Sequence, residues 1–328
     1  MSWLVFHKLL AIFFTVALGW LAGRRRWLGA DGDPARVLGQ CAFFLFVPAL
    51  LFRTTVRLDF STMPWSAVAA FFVPVMALLL LAYLQQRRTR SADRHGPAAP
   101  AVRAIAVTFG NSVQVGIPLA AALFGEAGLR IHIALVSLHA LVLLSAVTAL
   151  AELDIARARA RAEGAASAWD TLMQTVRSTV IHPVVLPVLA GLAWNATGIG
   201  LHPVADEALQ VLGAAVVPIC LVLIGLNLAQ QGGMPALGGA LRISLAKLVL
   251  LPALVLAVAA LGFGLTGVTL AVVVMMAALP VGSNALIFGQ RYETLVPETT
   301  TAIVLSTIAF GATAPLWLGL LAWLGRAA

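Results

Sequence analysis

Carboxylates are missing from the interior of every apolar run in this sequence. The 13 Asp and Glu residues of the 328-residue chain all lie between such runs or at their ends. Charged residues of both signs make up 10% of the chain, where a soluble domain carries about a quarter. Hydrophobic residues reach 61%, with a mean hydropathy of +0.98, which excludes an ordinary soluble globular fold. Cysteine is nearly absent. Cys41 and Cys220 stand alone inside apolar runs, so no disulfide framework or cysteine metal site follows, and both read as small buried hydrophobes. There is no His-Glu-x-x-His, no Gly-x-Ser-Gly and no pair of acids within an apolar run. An intramembrane enzyme needs such clusters, so no enzymatic role, cofactor or metal is expected.

What is there is apolar length. Ten windows could each span a bilayer, at 3–23, 38–56, 65–84, 102–124, 131–151, 180–199, 207–229, 241–262, 268–290 and 299–323. The net charge of +8 would suggest nucleic acid in a soluble protein. Here the basic residues cluster in alternate loops, so the partner is the lipid bilayer and no nucleic acid is expected. Arg24, Arg25, Arg26 and Arg36 follow the first window, Arg87, Arg88, Arg90 and Arg94 the third, and Arg157, Arg159, Arg161 and Arg177 the fifth. The intervening loops hold only Arg57 and Arg130, or no Lys or Arg at all. By the positive-inside rule the odd-numbered loops are cytoplasmic and both termini periplasmic. The first window lacks a basic stretch before it and has one after it, the reverse of a secretory signal, and reads as a retained span.

Two windows are interrupted at corresponding places. One reads Phe109-Gly110-Asn111-Ser112-Val113-Gln114-Val115-Gly116-Ile117-Pro118, the other Leu279-Pro280-Val281-Gly282-Ser283-Asn284. Lipid cannot satisfy the backbone groups that such breaks release, so they survive only against protein or a polar cavity. Gln40 and Pro48 in the second window reappear as Gln210 and Pro218 in the seventh, 170 residues on, and the same offset carries Gly110 onto Pro280. This predicts a duplication: residues 1–151 as a first five-helix repeat, 152–178 as a cytoplasmic helical linker, and 179–328 as a second repeat. An odd number of spans per repeat inverts the second copy, and the broken helices 4 and 9 then cross near the midplane. Pro48 and Pro218 read as kinks, since proline removes a helix hydrogen bond.

A broken helix presents N–H groups from one half and carbonyls from the other; the first attract anions and the second can hold a cation. Asn111, Ser112 and Gln114 stand at one break, Ser283 and Asn284 at the other. These side chains donate and accept without a buried charge, which suits a carboxylate. A proton pump ordinarily carries an acid inside the membrane, and none is present. Five bases need placing. Lys8 is expected to snorkel outward and Lys247 toward the cytoplasm, with a substrate-facing role the second reading for Lys247. His132 and His139 read first as packed, hydrogen-bonded residues, although His139 is deep enough to line a central cavity. His182 reads as structural, and Trp3, Trp65 and Trp194 as interfacial anchors.

At these two breaks the sequence resembles the auxin efflux carrier family, which includes plant PIN-type carriers and bacterial members. The likeness lies in Gly110 to Pro118 and in Ala278 to Gly289 followed by Tyr292, with support from Val47 to Phe52 and from Ser306-Thr307. The resemblance implies an all-α polytopic protein of ten transmembrane helices. These form two inverted five-helix repeats with crossed helices 4 and 9, as in sodium–proton antiporters and bile-acid symporters. It implies a scaffold domain and a transport domain, each built from both repeats, moving as an elevator in the inner membrane, often within a homodimer. The implied activity is secondary transport, with efflux the implied direction, of a small organic carboxylate, an auxin-like acid or a dicarboxylate such as malonate. A sodium-coupled symporter of bile-acid type is the alternative. By position the substrate falls to Gly110, Asn111, Ser112 and Gln114, to Pro280, Val281, Gly282, Ser283 and Asn284, and to His139. Plant members have proline on both sides of the crossing and a large cytoplasmic loop. Here Gly110 replaces one proline, so its break is expected to arise from glycine flexibility.

Overall fold

The computed structural model describes residues 3–29, 33–61, 63–89, 95–163, 180–231 and 236–327, with Met173, Val176 and Arg177. Helices occupy nearly all of this length. In chain order they are α1 (Trp3–Arg24), α2 (Pro34–Val56), α3 (Trp65–Arg88), α4 (Ala99–Thr108), α5 (Ile117–Glu163), α6 (Val185–Ala196), α7 (Pro203–Gln231), α8 (Leu237–Gly262), α9 (Gly267–Ala278), α10 (Asn284–Arg291) and α11 (Val296–Ala327). Six helices among the described residues are long and apolar enough to cross a membrane: α2, α3, most of α5, α7, α8 and α11. The only β pairing among the described residues is an isolated bridge between Gly110 and Val281. This is a multi-pass, all-helical membrane protein.

The helix irregularities follow from the sequence. Asp33 caps α2, its side chain accepting from the Arg36 N–H at 3.1 Å. A π-helical turn over Ala42–Phe46 then absorbs the break in hydrogen bonding ahead of Pro48. Pro218 lies inside α7. Gly125 turns the chain within α5 at φ 61°, a left-handed value that favours glycine. The expected linker at 152–178 begins as a continuation of α5 through Glu163; most of its remainder lies outside the described residues.

Small residues let the helices approach. Gly19 and Gly23 of α1 face α7, where a Cβ on Gly19 would come within 2.8 Å of the Val222 Cα. Close backbone approach replaces the hydrophobic effect as the source of association in lipid, through dispersion contacts. Likewise Ala99, Ala101, Ala104 and Ala106 of α4 are completely buried, against α3, α5 and α10. Polar staples gather at one end of the bundle. Arg36 pairs with Glu293 at 2.7 Å, Gln230 donates to Asp33 at 3.2 Å, and Tyr83 donates to Asp154 at 2.8 Å. Arg103 grips Glu298 with two bonds of 2.7 and 2.8 Å. At the opposite end Arg53 and Arg57 both pair with Asp206, and the Asn195 amide donates to Val56 O and Leu58 O.

Candidate functional site

The two interruptions seen in the sequence meet face to face. On one side α4 ends at Thr108, Phe109 is extended at φ −80°, ψ 116°, and the chain resumes as a π-helical turn over Ser112–Gly116. On the other, α9 ends at Ala278, Leu279 turns out at φ −58°, ψ 149°, and α10 starts at Asn284. Pro280 has no N–H and cannot continue the α9 ladder. The released backbone groups pair with each other. The Asn111 N–H donates to Pro280 O at 2.9 Å and the Gly282 N–H to Phe109 O at 2.8 Å. The Val281 N–H donates to the Ser306 hydroxyl of α11 at 3.0 Å. Backbone that would be costly in lipid is thus satisfied within the protein.

Two expectations are corrected here. Gly110 is not among the glycines with positive φ, so conformational freedom does not explain it. Crowding does: a Cβ there would lie 3.3 Å from both the Leu279 Cβ and the Lys247 Nζ. Lys247, expected first to snorkel toward the cytoplasm, is fully buried and donates to Ala277 O at 2.5 Å. The α8 backbone passes through a π-helical turn at Ala246–Leu250, and the unpaired carbonyls in the last turn of α9 offer the amine a nearer partner than water.

In front of the junction lies a cavity of about 110 Å³. Phe109, Gly110, Asn111, Ser112 and Val113 form one wall with Gly282, Ser283 and Asn284. Leu50, Leu51 and Thr54 of α2 and Val216, Val217 and Cys220 of α7 form the facing, mostly apolar wall. Val136, His139 and Ala140 of α5 close it. His139 is buried, stacked on Phe109 with 4.2 Å between ring centroids, and its Nδ1 lies 3.3 Å from the Ser112 hydroxyl. His132 holds the same turn from behind, its Nε2 lying 2.8 Å from Ser112 O. Many N–H groups after the breaks are taken up locally, as where Ala285 and Leu286 donate to Gly282 O and Ser283 O, so the polar wall is offered chiefly by Ser112, Ser283 and Asn284 with the positive end of α10 behind them.

Of the residues singled out from sequence, Gly110, Asn111, Ser112, His139, Gly282, Ser283 and Asn284 line this one cavity. Pro280 and Val281 stand behind it as backbone partners. Gln114 sits in the π-helical turn, and its side chain lies outside the described residues, as does that of Lys8. His182 packs as a structural residue, with its Nδ1 accepting from the Val184 N–H and its Nε2 3.2 Å from the Tyr292 hydroxyl. Sequence reasoning missed the facing wall from α2 and α7. The repeated Gln-x7-Pro motif was its signal, because Pro48 and Pro218 stand within a turn of Leu50 and Val216.

Interrupted helices that meet inside a polytopic apolar bundle, beside a polar-walled cavity, define a membrane transport protein. The chain belongs to the membrane transport protein family, the auxin efflux carrier family, which it matches over residues 4–318. It is 26% identical over 318 residues to the "Putative malonate transporter" of Rhizobium meliloti (strain 1021), covering 93% of this chain and 92% of that protein. It is 23% identical to auxin efflux carrier component 8 of Arabidopsis thaliana, over 94% and 95% of the two chains. Auxin efflux carrier component 3a of Oryza sativa subsp. japonica is 28% identical over 138 residues, 40% of this chain and 22% of that one. The family is one of transporters and not of enzymes.

Proposed function

We propose that this protein is a secondary transporter exporting a small organic carboxylate anion, an auxin-like acid or a dicarboxylate, across a bacterial inner membrane. The observation that carries the reading is the cavity between the joined breaks and the α2–α7 wall. Most of its polar side chains, Asn111, Ser112, Ser283 and Asn284, stand on the wall formed by the breaks, with Gly110, Pro280, Val281 and Gly282 shaping the backbone and His139 closing the pocket; Gln114 joins them in this proposal from its place in the sequence alone. A carboxylate there meets N–H groups and hydroxyls instead of a buried countercharge.

The grouping of the helices supports a reading of alternating access. α1 and α2 pack on α7, and α2 also packs on α6. α4 packs on α3 and α5, and α8 on α9 and α11. In the proposed mechanism the second group, carrying the junction, slides as an elevator against the first, and the substrate crosses with it. The proposal includes two inverted repeats at 1–151 and 179–328 joined through 152–178. It also includes ten spans, both termini in the periplasm and assembly as a homodimer. The offset of 170 between Pro48 and Pro218, and between Gly110 and Pro280, supports the repeat.

Uptake of radiolabelled malonate and indole-3-acetate into proteoliposomes tests the reading. Asn111→Ala is expected to lower transport at least about tenfold while the protein elutes as a folded species, the loss of one hydrogen bond to a charged group. An Asn111→Ala protein as active as wild type on its substrate removes the junction as the binding site. A sodium-coupled symporter is the second reading, which the sequence resemblance leaves open; half-helix carbonyl ends coordinate coupling ions in such carriers, and here the carbonyl end of α9 accepts from Lys247.

A further inference from the structure

Lys247 stands near the middle of α8, about 15 Å along a helix of roughly 39 Å, and is completely buried. Its Nζ lies 2.5 Å from the carbonyl oxygen of Ala277, in the last turn of α9. Carbonyls in a last turn have no helical partner and carry the negative end of the helix dipole. In carriers with interrupted helices, that end is where a coupling cation is coordinated. Here a side chain of the protein already occupies it.

Two neighbouring features fit the same account. A Cβ on Gly110 would come within 3.3 Å of the Lys247 Nζ, so the glycine at the first break lets the amine approach the junction closely. Ser306 brings a hydroxyl to the second break from α11, but it donates to Ile303 O at 3.1 Å and accepts from the Val281 N–H at 3.0 Å. That hydroxyl is committed to the backbone and is not a free ion ligand.

We propose that the tethered amino group of Lys247 takes the position of a coupling cation at this junction, so that the carrier neither binds nor needs sodium. Lys247 is then a positioning residue. It lies behind Gly110, away from the cavity lining, and acts by holding the α9 carbonyl end and offsetting its negative dipole. Because the donor is covalently part of α8, it accompanies the junction through the whole cycle, and the anion needs no ion partner to enter. The inference rests on the junction being the transport site, and it argues against the sodium-coupled reading.

The test is thermal unfolding of the purified full-length protein in detergent, in sodium chloride against choline chloride at equal ionic strength. No substrate is required, so its outcome is independent of whether Asn111 binds a carboxylate. Wild type is expected to unfold at the same temperature in both salts. Lys247→Ala vacates the carbonyl end and is expected to unfold at a lower temperature in choline. It should then gain about 2 °C or more in sodium, as an ion that binds only the folded state must give. Lys247→Gln, which nearly keeps the volume and adds an amide oxygen, is read in the same way and serves if the alanine variant does not fold. A sodium-dependent rise in wild type overturns the proposal, and so does a folded variant that is indifferent to sodium.

Discussion

The Gly282 N–H donates to the carbonyl of Phe109 at 2.8 Å, joining two breaks that lie far apart along the chain. The approach leaves no room for a side chain. A Cβ on Gly282 would fall 2.7 Å from Phe109 Cδ1 and 2.9 Å from Gly110 O. Gly282→Ala is therefore expected to destabilise the protein by about 1–3 kcal/mol, because the backbone oxygen cannot yield as a flexible side chain would. A lowered midpoint of unfolding in detergent, together with reduced transport, is the expected result; an unchanged midpoint would show that the junction can spread.

His139 separates packing from chemistry. Its ring is stacked on Phe109 and its Nδ1 faces the Ser112 hydroxyl. His139→Phe keeps an aromatic ring of similar breadth and removes the polar contact. The expected cost in stability is about 1 kcal/mol, the net worth of one hydrogen bond. Transport should fall by much more than that in proportion. Equal loss in both measurements would mark His139 as structural only.

Arg103 and Glu298 form a two-pronged ion pair in which both side chains are largely buried, and Arg103 also donates to Gln86 at 2.7 Å. Removing one charge strands the other, so Glu298→Gln is expected to cost about 3 kcal/mol. Replacing both, as Arg103→Met with Glu298→Leu, should recover most of that loss, since no charge is left buried. A double variant as unstable as the single one would show that the pair holds α4 and α11 by more than mutual compensation.

Orientation can be read chemically because the chain has only two cysteines. In a background of Cys41→Ala and Cys220→Ala, Glu293→Cys and Ile199→Cys put exposed thiols at opposite ends of the bundle. An impermeant maleimide added to intact cells is expected to label the Ile199→Cys protein, and to label Glu293→Cys only after the membrane is opened. The reverse pattern would invert the proposed topology.

Much of the helix plan was legible before any fold was known, because apolar length and loop charge are read residue by residue. The windows around 65–84 and 241–262 match α3 and α8 closely. The breaks were legible for the same reason: Gly, Pro and amides inside an apolar run leave backbone groups that lipid cannot satisfy. The direction of Lys247 was not legible. Its long side chain can reach either toward an aqueous face or into the bundle, and only the unpaired carbonyls of α9, from another part of the chain, decide between them. Gly110 was misread for a related reason. Its spacing announced a break, but the close packing around it comes from Leu279 and Lys247.

The sequence by itself determined that this protein lives in the membrane, where its helices are interrupted, and which loops carry the positive charge. Those are local properties: transfer of apolar side chains into lipid and the backbone hydrogen bonds that proline and glycine withhold. Only the tertiary structure decided what fills the interruptions. Asn111 pairs with Pro280, the Val281 N–H finds Ser306, Lys247 caps the α9 carbonyl end, and α2 and α7 wall the cavity in front. Each partner is distant in sequence, and its choice depends on distances of a few ångströms that exist only once the helices have packed.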